Sequence, residues 1–477
     1  MLQGTGSDVG KSVLVAGLCR VMVERGLSVR PFKPQNMSNN AAVAVEGGEI
    51  GRAQWLQALA CRVPPSVHMN PVLIKPESDI GAQLVVQGQA AGTSVAAEFN
   101  RKKPELLAKV LESFEAVSDE ADLVIIEGAG SPAEVNLRDG DIANMGFALP
   151  TRTPVVLVGD IDRGGVIAAL VGTHAILPPA ERDLVRGFIV NKFRGDAALF
   201  DEGMRIIEER TGWTGYGVVP FLPVVTRLPA EDAVVLEGPR TGGGSRYVIA
   251  VPMLSRIANF DDADPLRLHP EIDLRFIPPG RAIPSEADLV IIPGTKSTIA
   301  DLRFLRAQGW ERDIHEHRAA GKPVIGLCGG YQMLGTVVAD PDGTEGPPGE
   351  ERGLGLLAVT TALESPKTVR TVVAQEVRSG LDVPGYEIHC GRTDVAGSAE
   401  PFLSVDGEVV GVRSPDGLVY GAYVHGLFLD DRFREDMLGR LGLPVEAGLS
   451  YRTAVDNALD KLAEALEEHL DIEAMLA

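Results

Sequence analysis

The chain contains 477 residues, of which 45% are apolar and 23% are charged, a composition typical of a globular rather than a disordered protein. Its formal net charge of −21 argues against a nucleic-acid partner, because phosphate backbones are bound by clustered Lys and Arg. No apolar run is long enough to cross a membrane, the N-terminus lacks the pattern of a cleavable leader, and the four cysteines match no zinc or thioredoxin-type spacing. These features predict a cytoplasmic protein with neither a nucleic-acid nor a membrane partner.

Short apolar runs alternate with helical patterns up to about residue 225. Buried strands are predicted at 27–33, 123–127, 155–159 and 187–191. Helices are predicted between them, for example at 11–25 and 105–116. Because strands alternate with helices, we expect a parallel sheet that is covered by helices on both faces.

A segment rich in Gly, Pro and charged residues, 230–245, interrupts this pattern and is interpreted as a linker. A second α/β series follows, with predicted strands at 247–251, 289–292, 323–327 and 418–424. Apolar residues then recur at steps of three and four from Val455 to Leu470, which predicts an amphipathic helix packed on its own domain. The sequence therefore predicts two doubly wound α/β domains, 1–229 and 246–477.

A phosphate-binding loop is predicted before the first helix, where the chain reads Gly4-Thr-Gly-Ser-Asp-Val-Gly-Lys-Ser. Glycines allow the backbone amides, from Gly4 and Thr5 to Gly10, to approach a phosphate closely at a helix N-terminus. Lys11 would reach the outer phosphates of ATP, and the Ser12 hydroxyl would bind Mg²⁺. Few residues precede the loop, so we expect either a very short strand before it or a natural chain that begins upstream.

Polar side chains at predicted strand ends could complete a nucleotide site, because open α/β sheets bind ligands at the carboxyl ends of their strands. Glu127 suits Mg²⁺ held beside the phosphates, with Glu49 as a second carboxylate candidate. Lys33 ends an earlier strand, and Asn191, which ends a later one, could read adenine through its amide. A loop-capping role for Glu127 and a solvated position for Lys33 remain alternatives.

A cysteine nucleophile is predicted at Cys328, in the segment Gly326-Leu-Cys-Gly-Gly between a predicted strand and a predicted helix. This is the cysteine form of the nucleophile elbow, whose strained turn requires small flanking residues and exposes the sulfur at a helix N-terminus. The N–H of Gly329 could help to stabilise an oxyanion, with a second donor near Gly294. A buried structural thiol is the alternative for Cys328.

A thiolate nucleophile needs a base, and the chain offers eight histidines. His425 is favoured, because it ends a predicted strand and precedes a glycine in a loop. His389 is the second candidate, and the histidines at 315 and 317 lie in a charged, helical segment.

Segments spread along most of the chain resemble the cobyric acid synthase family, in the same order. They begin at Gln3 (QGTGSDVGKS), Lys33 (KPQNMS), Gly47 (GGEIGRAQ), His68 (HMNPVLIKP), Glu127 (EGAGSPAE), Asp160 (DIDRGG), Gly326 (GLCGGYQMLG) and Tyr423 (YVHGLF). This family is similar to dethiobiotin synthetase in its N-terminal half and to class I glutaminases in its C-terminal half.

The resemblance implies an ATP-dependent, glutamine-hydrolysing amide ligase of cobalamin biosynthesis. The implied reaction amidates the b, d, e and g carboxylates of adenosylcobyrinic acid a,c-diamide, each activated as an acyl phosphate, to give adenosylcobyric acid. It also implies catalytic roles or nucleotide and Mg²⁺ contacts for residues already singled out, namely Cys328, His425, Lys33, Glu49, Glu127 and Asn191. In many class I glutaminases an acid two residues after the histidine orients it, but Leu427 occupies that place here, so the orienting group is unidentified.

Three other functions are compatible with parts of the sequence. A cobyrinic acid a,c-diamide synthase has the same two parts, but the segments at Lys33 and His68 favour cobyric acid synthase. A partitioning ATPase similar to ParA or MinD would carry an early loop lysine where this chain has Gly6, and would lack the cysteine elbow. A regulator with an inactive glutaminase is opposed by the presence of both Cys328 and His425. The sequence leaves the oligomeric state open.

Overall fold

The computed structural model describes residues 1–76, 81–231 and 245–477. The strands of the N-terminal part, residues 1–231, are β1 (Leu2–Gly4), β2 (Val29–Phe32), β3 (Gln35–Met37), β4 (Ala41–Val43), β5 (Glu49–Gly51), β6 (Val72–Pro76), β7 (Gly81–Val86), β8 (Gln89–Val95), β9 (Leu123–Ile126), β10 (Val155–Asp160), β11 (Val185–Phe193) and β12 (Thr214–Pro220). Its helices are α1 (Lys11–Glu24), α2 (Arg52–Ala60), α3 (Ala96–Asp119), α4 (Met145–Thr151), α5 (Val166–Ile176), α6 (Pro179–Arg182) and α7 (Asp201–Thr211).

The C-terminal part comprises residues 245–477. Its strands are β13 (Tyr247–Pro252), β14 (Ile257–Ala258), β15 (Ile272–Ile277), β16 (Leu289–Ile292), β17 (Gly294–Thr295), β18 (Val324–Leu327), β19 (Val337–Asp340), β20 (Gly349–Arg352), β21 (Val359–Ala362), β22 (Thr368–Glu376), β23 (Asp382–His389), β24 (Arg392–Val395), β25 (Glu400–Val405), β26 (Glu408–Arg413), β27 (Val419–Ala422) and β28 (Val424–His425). Its helices are α8 (Asp264–Arg267), α9 (Thr298–Ala307), α10 (Trp310–Ala319), α11 (Gly329–Leu334), α12 (Asp431–Arg440), α13 (Tyr451–His469) and α14 (Ile472–Leu476).

A parallel sheet forms the centre of the N-terminal part. Strands β1, β10, β11 and β12 pair in parallel, as do β2 and β9, and a parallel bridge from Leu2 to Glu127 joins the two groups. Alternate side chains of β10 enter different cores: Val156 lies in the core beneath α1, and Leu157 lies in the core beneath α5. Both faces of this strand are therefore buried, which explains its continuous apolar run and confirms the predicted arrangement.

The C-terminal part is built around a ten-stranded mixed sheet, in the order β15-β13-β16-β18-β27-β26-β25-β22-β23-β28. The first five strands are parallel, and the remaining five pair antiparallel. Alternating burial again supports the α/β prediction, because Ile325 and Val324 of β18 enter cores on opposite faces. The predicted strands of this part are thus found, and the fold is mixed α/β with a parallel sheet in each part.

The C-terminal helix α13 packs on α1 of the N-terminal part, so the prediction that it covers its own domain was wrong. Leu462 and Leu466 lie against Gly17, where an added Cβ would come within 2.5 Å of a Leu466 methyl. Arg20 of α1 is fully buried and pairs with Asp456 of α13 at 2.6 Å. Periodicity identified the apolar face of this helix, but it carries no information about which surface covers that face.

Residues 232–244 of the predicted linker lie outside the described residues. A very short strand, β1, does precede the phosphate loop and pairs with β10. Across the described ranges, no helix combines the length and the apolar character needed to span a bilayer.

Candidate active sites at two sheet edges

The predicted phosphate loop connects β1 to α1. Gly10 caps the helix with a φ of 96°, a left-handed conformation that favours glycine. A Cβ at Gly4 would lie 2.7 Å from the Gly6 carbonyl oxygen and 2.8 Å from Lys11 Nζ, so only glycine fits the close wrap of the loop. The Lys11 ammonium donates to the carbonyls of Gly6, at 2.9 Å, and Gly130, at 3.2 Å. Its pKa is lowered, mainly because burial disfavours the charged form.

Ser12, Lys33, Glu127 and Glu231 form one polar cluster at the start of α1. Ser12 Oγ lies 2.7 Å from both Glu127 Oε1 and Glu231 Oε2, and its single O–H donates to one of these carboxylates at a time. Lys33 donates to Glu127 at 2.7 Å and to Glu231 at 3.2 Å. Burial opposes the Lys33 charge, but the two carboxylates outweigh it and raise its pKa. Three of the residues predicted for the nucleotide site are therefore in contact.

Glu231 was not predicted from the sequence, because it lies in the segment interpreted as a linker. The Ser12 hydroxyl and the carboxylates of Glu127 and Glu231 are hard oxygen donors, which fit a Mg²⁺ ion that also binds phosphates. Within the part of the chain that the structure describes, no group of three or more His, Cys, Asp or Glu side chains is arranged to hold a metal by itself. The donors present thus suit a cation shared with a nucleotide rather than an all-protein cage.

Glu49 lies in a different environment from the one expected of a Mg²⁺ ligand. Its carboxylate accepts from Lys75 at 2.7 Å and from Lys367 at 2.6 Å, and Lys367 belongs to the C-terminal part. Although burial opposes ionisation, the lysines lower the Glu49 pKa, and burial lowers that of Lys75 to about 7. The structure therefore does not bring Glu49 into the Ser12–Glu127 cluster; it places this carboxylate in an ion-pair group between the two parts.

Two further predicted residues hold the phosphate loop to neighbouring strands. The Asn191 amide donates to the Val9 carbonyl at 2.8 Å, and the Thr5 hydroxyl donates to the Val158 carbonyl at 3.4 Å. Asn191 thus reaches the loop, as its position at the end of β11 suggests. Its contact with adenine stays a prediction.

Cys328 lies in a strained turn between β18 and α11. Its φ of 52° and ψ of −110° are unusual for a residue with a side chain. A Cβ at Gly326 would lie 2.5 Å from the Gly330 carbonyl oxygen, and one at Gly330 would lie 2.1 Å from that of Ile292. The small residues around the cysteine are therefore required by the turn, as the elbow motif predicts.

His425 and Asp262 complete a Cys–His–Asp arrangement. Asp262 accepts from His425 Nδ1 at 2.7 Å and from the Gly426 N–H at 2.6 Å, and His425 lines the same cavity as Cys328. Burial alone would lower the histidine pKa, but the Asp262 carboxylate and the thiol raise it to about 10. Asp262 is the orienting acid that the sequence left unidentified, while Leu427 is fully buried in the apolar core.

Asp262 is 163 residues from His425, so no local motif reveals the pair. The only feature of the sequence that could have indicated this acid is the acidic run 261–264, which follows the first strand of the second domain. Its side chains are buried although charged, which requires partners supplied by the fold.

His389 and Cys390 lie beside the thiol without replacing His425. The Cys328 thiol donates to the Ile388 carbonyl at 3.4 Å, and the His389 ring stacks on Tyr423 with a centroid separation of 3.8 Å. Burial, with the neighbouring positive groups, lowers the His389 pKa to about 3. His389 is consequently neutral, and its Nδ1 has no hydrogen-bond partner among the residues that the structure describes, whereas His425 has Asp262.

One cavity brings these groups together. Gly294, Cys328 and His425 line it, and a Cβ on Gly294 would lie 3.4 Å from the His425 ring. Gly329 begins α11 immediately after the cysteine. Lys75 of the N-terminal part also lines the cavity, so the thiol centre lies against the other half of the chain.

Comparison with known proteins agrees with both halves of this description. Residues 1–235 match the family model of the CobQ/CobB/MinD/ParA nucleotide binding domain, and residues 248–433 match that of the CobB/CobQ-like glutamine amidotransferase domain. A cobyric acid synthase of Brucella suis is 58% identical over 478 residues, covering 100% of this chain and 99% of the relative. That of Sinorhizobium fredii is 59% identical over 471 residues, covering 99% and 97%. The chain belongs to the cobyric acid synthase family of glutamine-dependent, ATP-using amide ligases.

Proposed function

We propose that this chain converts adenosylcobyrinic acid a,c-diamide to adenosylcobyric acid by amidating its b, d, e and g carboxylates. The observation that carries the proposal is the Cys328–His425–Asp262 arrangement, present in the same chain as a phosphate loop and its carboxylate cluster. Similarity to curated cobyric acid synthases along the full chain supports the corrinoid substrate.

Glutamine supplies the ammonia at the thiol centre. Cys328 Sγ gives its proton to His425 and attacks the side-chain amide carbon, and the N–H groups of Gly329 and the Gly294 segment stabilise the oxyanion. His425, whose pKa is raised to about 10, holds a proton at neutral pH and gives it to the leaving ammonia. Water then hydrolyses the thioester and releases glutamate. Asp262 keeps the imidazole in place throughout.

The phosphate loop would bind ATP. The amides from Gly4 and Thr5 to Gly10 and the Lys11 ammonium would contact the phosphates, and Asn191 is our candidate for adenine. Ser12, Glu127 and Glu231 would hold Mg²⁺, which neutralises phosphate charge when bound. ATP supplies the phosphoryl group that turns each corrinoid carboxylate into an electrophilic acyl phosphate.

Lys33 contacts both carboxylates of the cluster and so stands where phosphate charge would develop. Its ammonium, held charged by Glu127 and Glu231, would stabilise the phosphoryl group during its transfer.

Ammonia must travel from the thiol centre to the phosphate centre without being protonated. The position of Lys75 in the wall of the thiol cavity supports a short route between the two parts.

The proposed division is an ATP-binding synthetase domain at 1–229, a linker at 230–245 and a glutaminase domain at 246–477, whose helix α13 packs on α1 of the synthetase domain. The proposed partners are small molecules alone, and the proposed compartment is the cytoplasm. All four cysteines are free, which suits a reducing environment, and Cys328 must stay reduced to act.

The test is amidation of adenosylcobyrinic acid a,c-diamide with ATP and Mg²⁺, followed by mass spectrometry. With glutamine, the wild type should add four amides, whereas Cys328→Ala should add none. With ammonium salts in place of glutamine, both proteins should add four. Wild-type protein that hydrolyses glutamine but leaves this corrinoid unchanged would remove the substrate assignment.

A matched control for the thiol is Cys61→Ala. Cys61 is also a buried free cysteine, but it lies next to α2 and away from the elbow. Its replacement should leave glutamine-dependent amidation within about twofold of wild type, because it removes a thiol without touching either centre.

A further inference from the structure

Three carboxylates lie buried side by side at the thiol centre, in the 3-10 helix Phe260–Ala263 and at the start of α8. They belong to Asp261, Asp262 and Asp264, none of which is more than 4% exposed. Like charges at this spacing repel one another strongly in a dry interior, so each carboxylate needs a cation. The cations are Arg52 for Asp261, at 2.8 Å, His425 for Asp262, at 2.7 Å, and Arg267 for Asp264, at 3.0 Å.

Arg52 comes from the N-terminal part, whereas His425 and Arg267 belong to the C-terminal part. It is the first residue of α2, and its guanidinium lies 4.1 Å from the centroid of the Trp55 ring. The ion pair joins Arg52 Nη2 to Asp261 Oδ2, and neither Asp261 Oδ1 nor Arg52 Nε has a hydrogen-bond partner among the described residues. Burial and the adjacent acids raise the Asp261 pKa to about 6, and Arg52 opposes them.

The same helix contacts the nucleotide cluster. Gln57 donates to Glu127 Oε2 at 2.6 Å, and Gln54 donates to the same oxygen at 3.4 Å. Arg52 and Gln57 are separated by about 8 Å along the helix axis, given ~1.5 Å per residue. A short rigid element therefore touches a proposed Mg²⁺ ligand with one face and the neighbour of Asp262 with its first residue.

We propose that Arg52 is a positioning residue for the glutaminase base, and that helix α2 makes glutamine hydrolysis respond to the nucleotide site. This inference rests on the proposed function, since it requires that the two centres act as assigned. The route runs from Glu127 through Gln57 and α2 to Arg52, and from there through Asp261 to Asp262 and His425.

The physical basis of this coupling is the balance of charge in the acidic turn, which contains Asp261, Asp262 and Asp264. Without Arg52, Asp261 would be a buried, uncompensated carboxylate beside two others. The turn would relieve this by protonation or by moving, and Asp262 follows Asp261 directly in the chain. A small displacement of Asp262 changes the hydrogen bond that orients His425 towards Cys328. A ligand that shifts Glu127 and α2 changes the same contact.

The test measures glutamate release from glutamine, with and without ATP and Mg²⁺, for wild type and Arg52→Gln. Without nucleotide, kcat of the variant should fall about 10- to 100-fold, the usual cost of losing a group that orients a catalytic side chain. KM for glutamine should stay within about twofold, because Arg52 does not line the cavity. In the wild type, ATP with Mg²⁺ should change kcat by about 5- to 150-fold, and the variant should lose that response.

Two variants separate positioning from folding. Arg52→Lys keeps the positive charge and should recover most of the kcat for glutamine hydrolysis. Arg62→Gln is the matched control, because Arg62 follows the same helix but its side chain is 54% exposed. Amidation driven by ammonium salts should be unchanged in all three variants, since it bypasses the thiol centre. A loss of both activities in Arg52→Gln would assign Arg52 a general structural role and overturn the proposal.

A double-mutant cycle tests whether Arg52 acts on His425 through its contact with Asp261. Asp261→Asn should lower kcat to a similar extent, and combining it with Arg52→Gln should add little, because the two residues act through one contact. Wild-type kcat and an unchanged nucleotide response in Arg52→Gln would also overturn the inference. Failure of the wild type to hydrolyse glutamine at all would instead remove the proposed function.

Discussion

The phosphate centre and the thiol centre both lie at the carboxyl edge of a parallel sheet, but they collect their side chains differently. In the phosphate centre, Ser12, Lys33 and Glu127 come from the ends of neighbouring elements within one sheet, so the topology alone brings them together. In the thiol centre, Cys328 is positioned by its own turn, whereas Asp262 comes from far away in the sequence. The order of strands is enough to predict that side chains at one sheet edge lie close together. It does not predict which distant residue orients the catalytic histidine.

The centres also differ in what closes them. The phosphate cluster is completed by Glu231, which lies in the segment predicted to be a linker. The thiol cavity is lined in part by Lys75 of the other part, and Glu49 pairs with both Lys75 and Lys367. The glutaminase centre is therefore assembled at the boundary between the two parts, and the following predictions are designed to separate the two centres.

Replacement of Asp262 should break the thiol centre alone. Asp262→Asn should lower kcat for glutamine hydrolysis by about 10⁴-fold, as for the orienting aspartate of a serine protease, because an amide no longer stabilises the imidazolium. Ammonium-driven amidation should persist. The assays are glutamate release and corrinoid mass, with Asp342→Asn on an exposed loop as control. Hydrolysis within tenfold of wild type would contradict the role of Asp262.

Replacement of Glu127 should break the phosphate centre alone. Glu127→Gln removes a proposed Mg²⁺ ligand and the partner of Lys33, so amidation should fall about 10²- to 10³-fold with either glutamine or ammonium. Glutamine hydrolysis without nucleotide should persist. Glu115→Gln, an exposed carboxylate on α3, is the control. Retained amidation in Glu127→Gln would show that the carboxylate has no part in nucleotide chemistry.

Truncation of Leu462 should weaken the packing of α13 without entering either centre. Leu462 is fully buried against Gly17 of α1, and Leu462→Ala should lower the free energy of unfolding by about 2–5 kcal/mol. Urea unfolding followed by far-UV circular dichroism measures the change. Leu476→Ala, at a site 49% exposed, should have little effect. Equal stabilities of the two variants would argue against the docking of α13.

The smallest expected effect is a pH dependence of stability. Against the effect of burial, Asp262 and the Cys328 side chain raise the His425 pKa from 6.5 to about 10, so the contribution of these contacts to stability is complete below pH 6.5 and is lost as the pH rises towards 10. The difference in urea midpoint between wild type and His425→Asn should therefore narrow over this interval. A difference that widens with rising pH would contradict the ion pair.

Much of the site could be predicted because its residues lie in local patterns. The phosphate loop, the strand-end residues Lys33 and Glu127 and the elbow around Cys328 depend on turn geometry and on the order of strands. The ion pairs of Glu49 could not be predicted, because a carboxylate near a predicted element reveals nothing about its partners. Here the partners are Lys75 and, from the other part, Lys367.

The sequence by itself determined the two α/β parts, the phosphate loop and the thiol elbow. These features depend on the steric limits of short turns and on the periodicity of apolar residues, and both can be recognised from consecutive residues. Only the tertiary structure decided that α13 covers α1, that Asp262 orients His425 and that Arg52 neutralises the neighbouring acid. These contacts join residues that are far apart in the chain, and each depends on long-range packing and on the balance of charge in a buried interior.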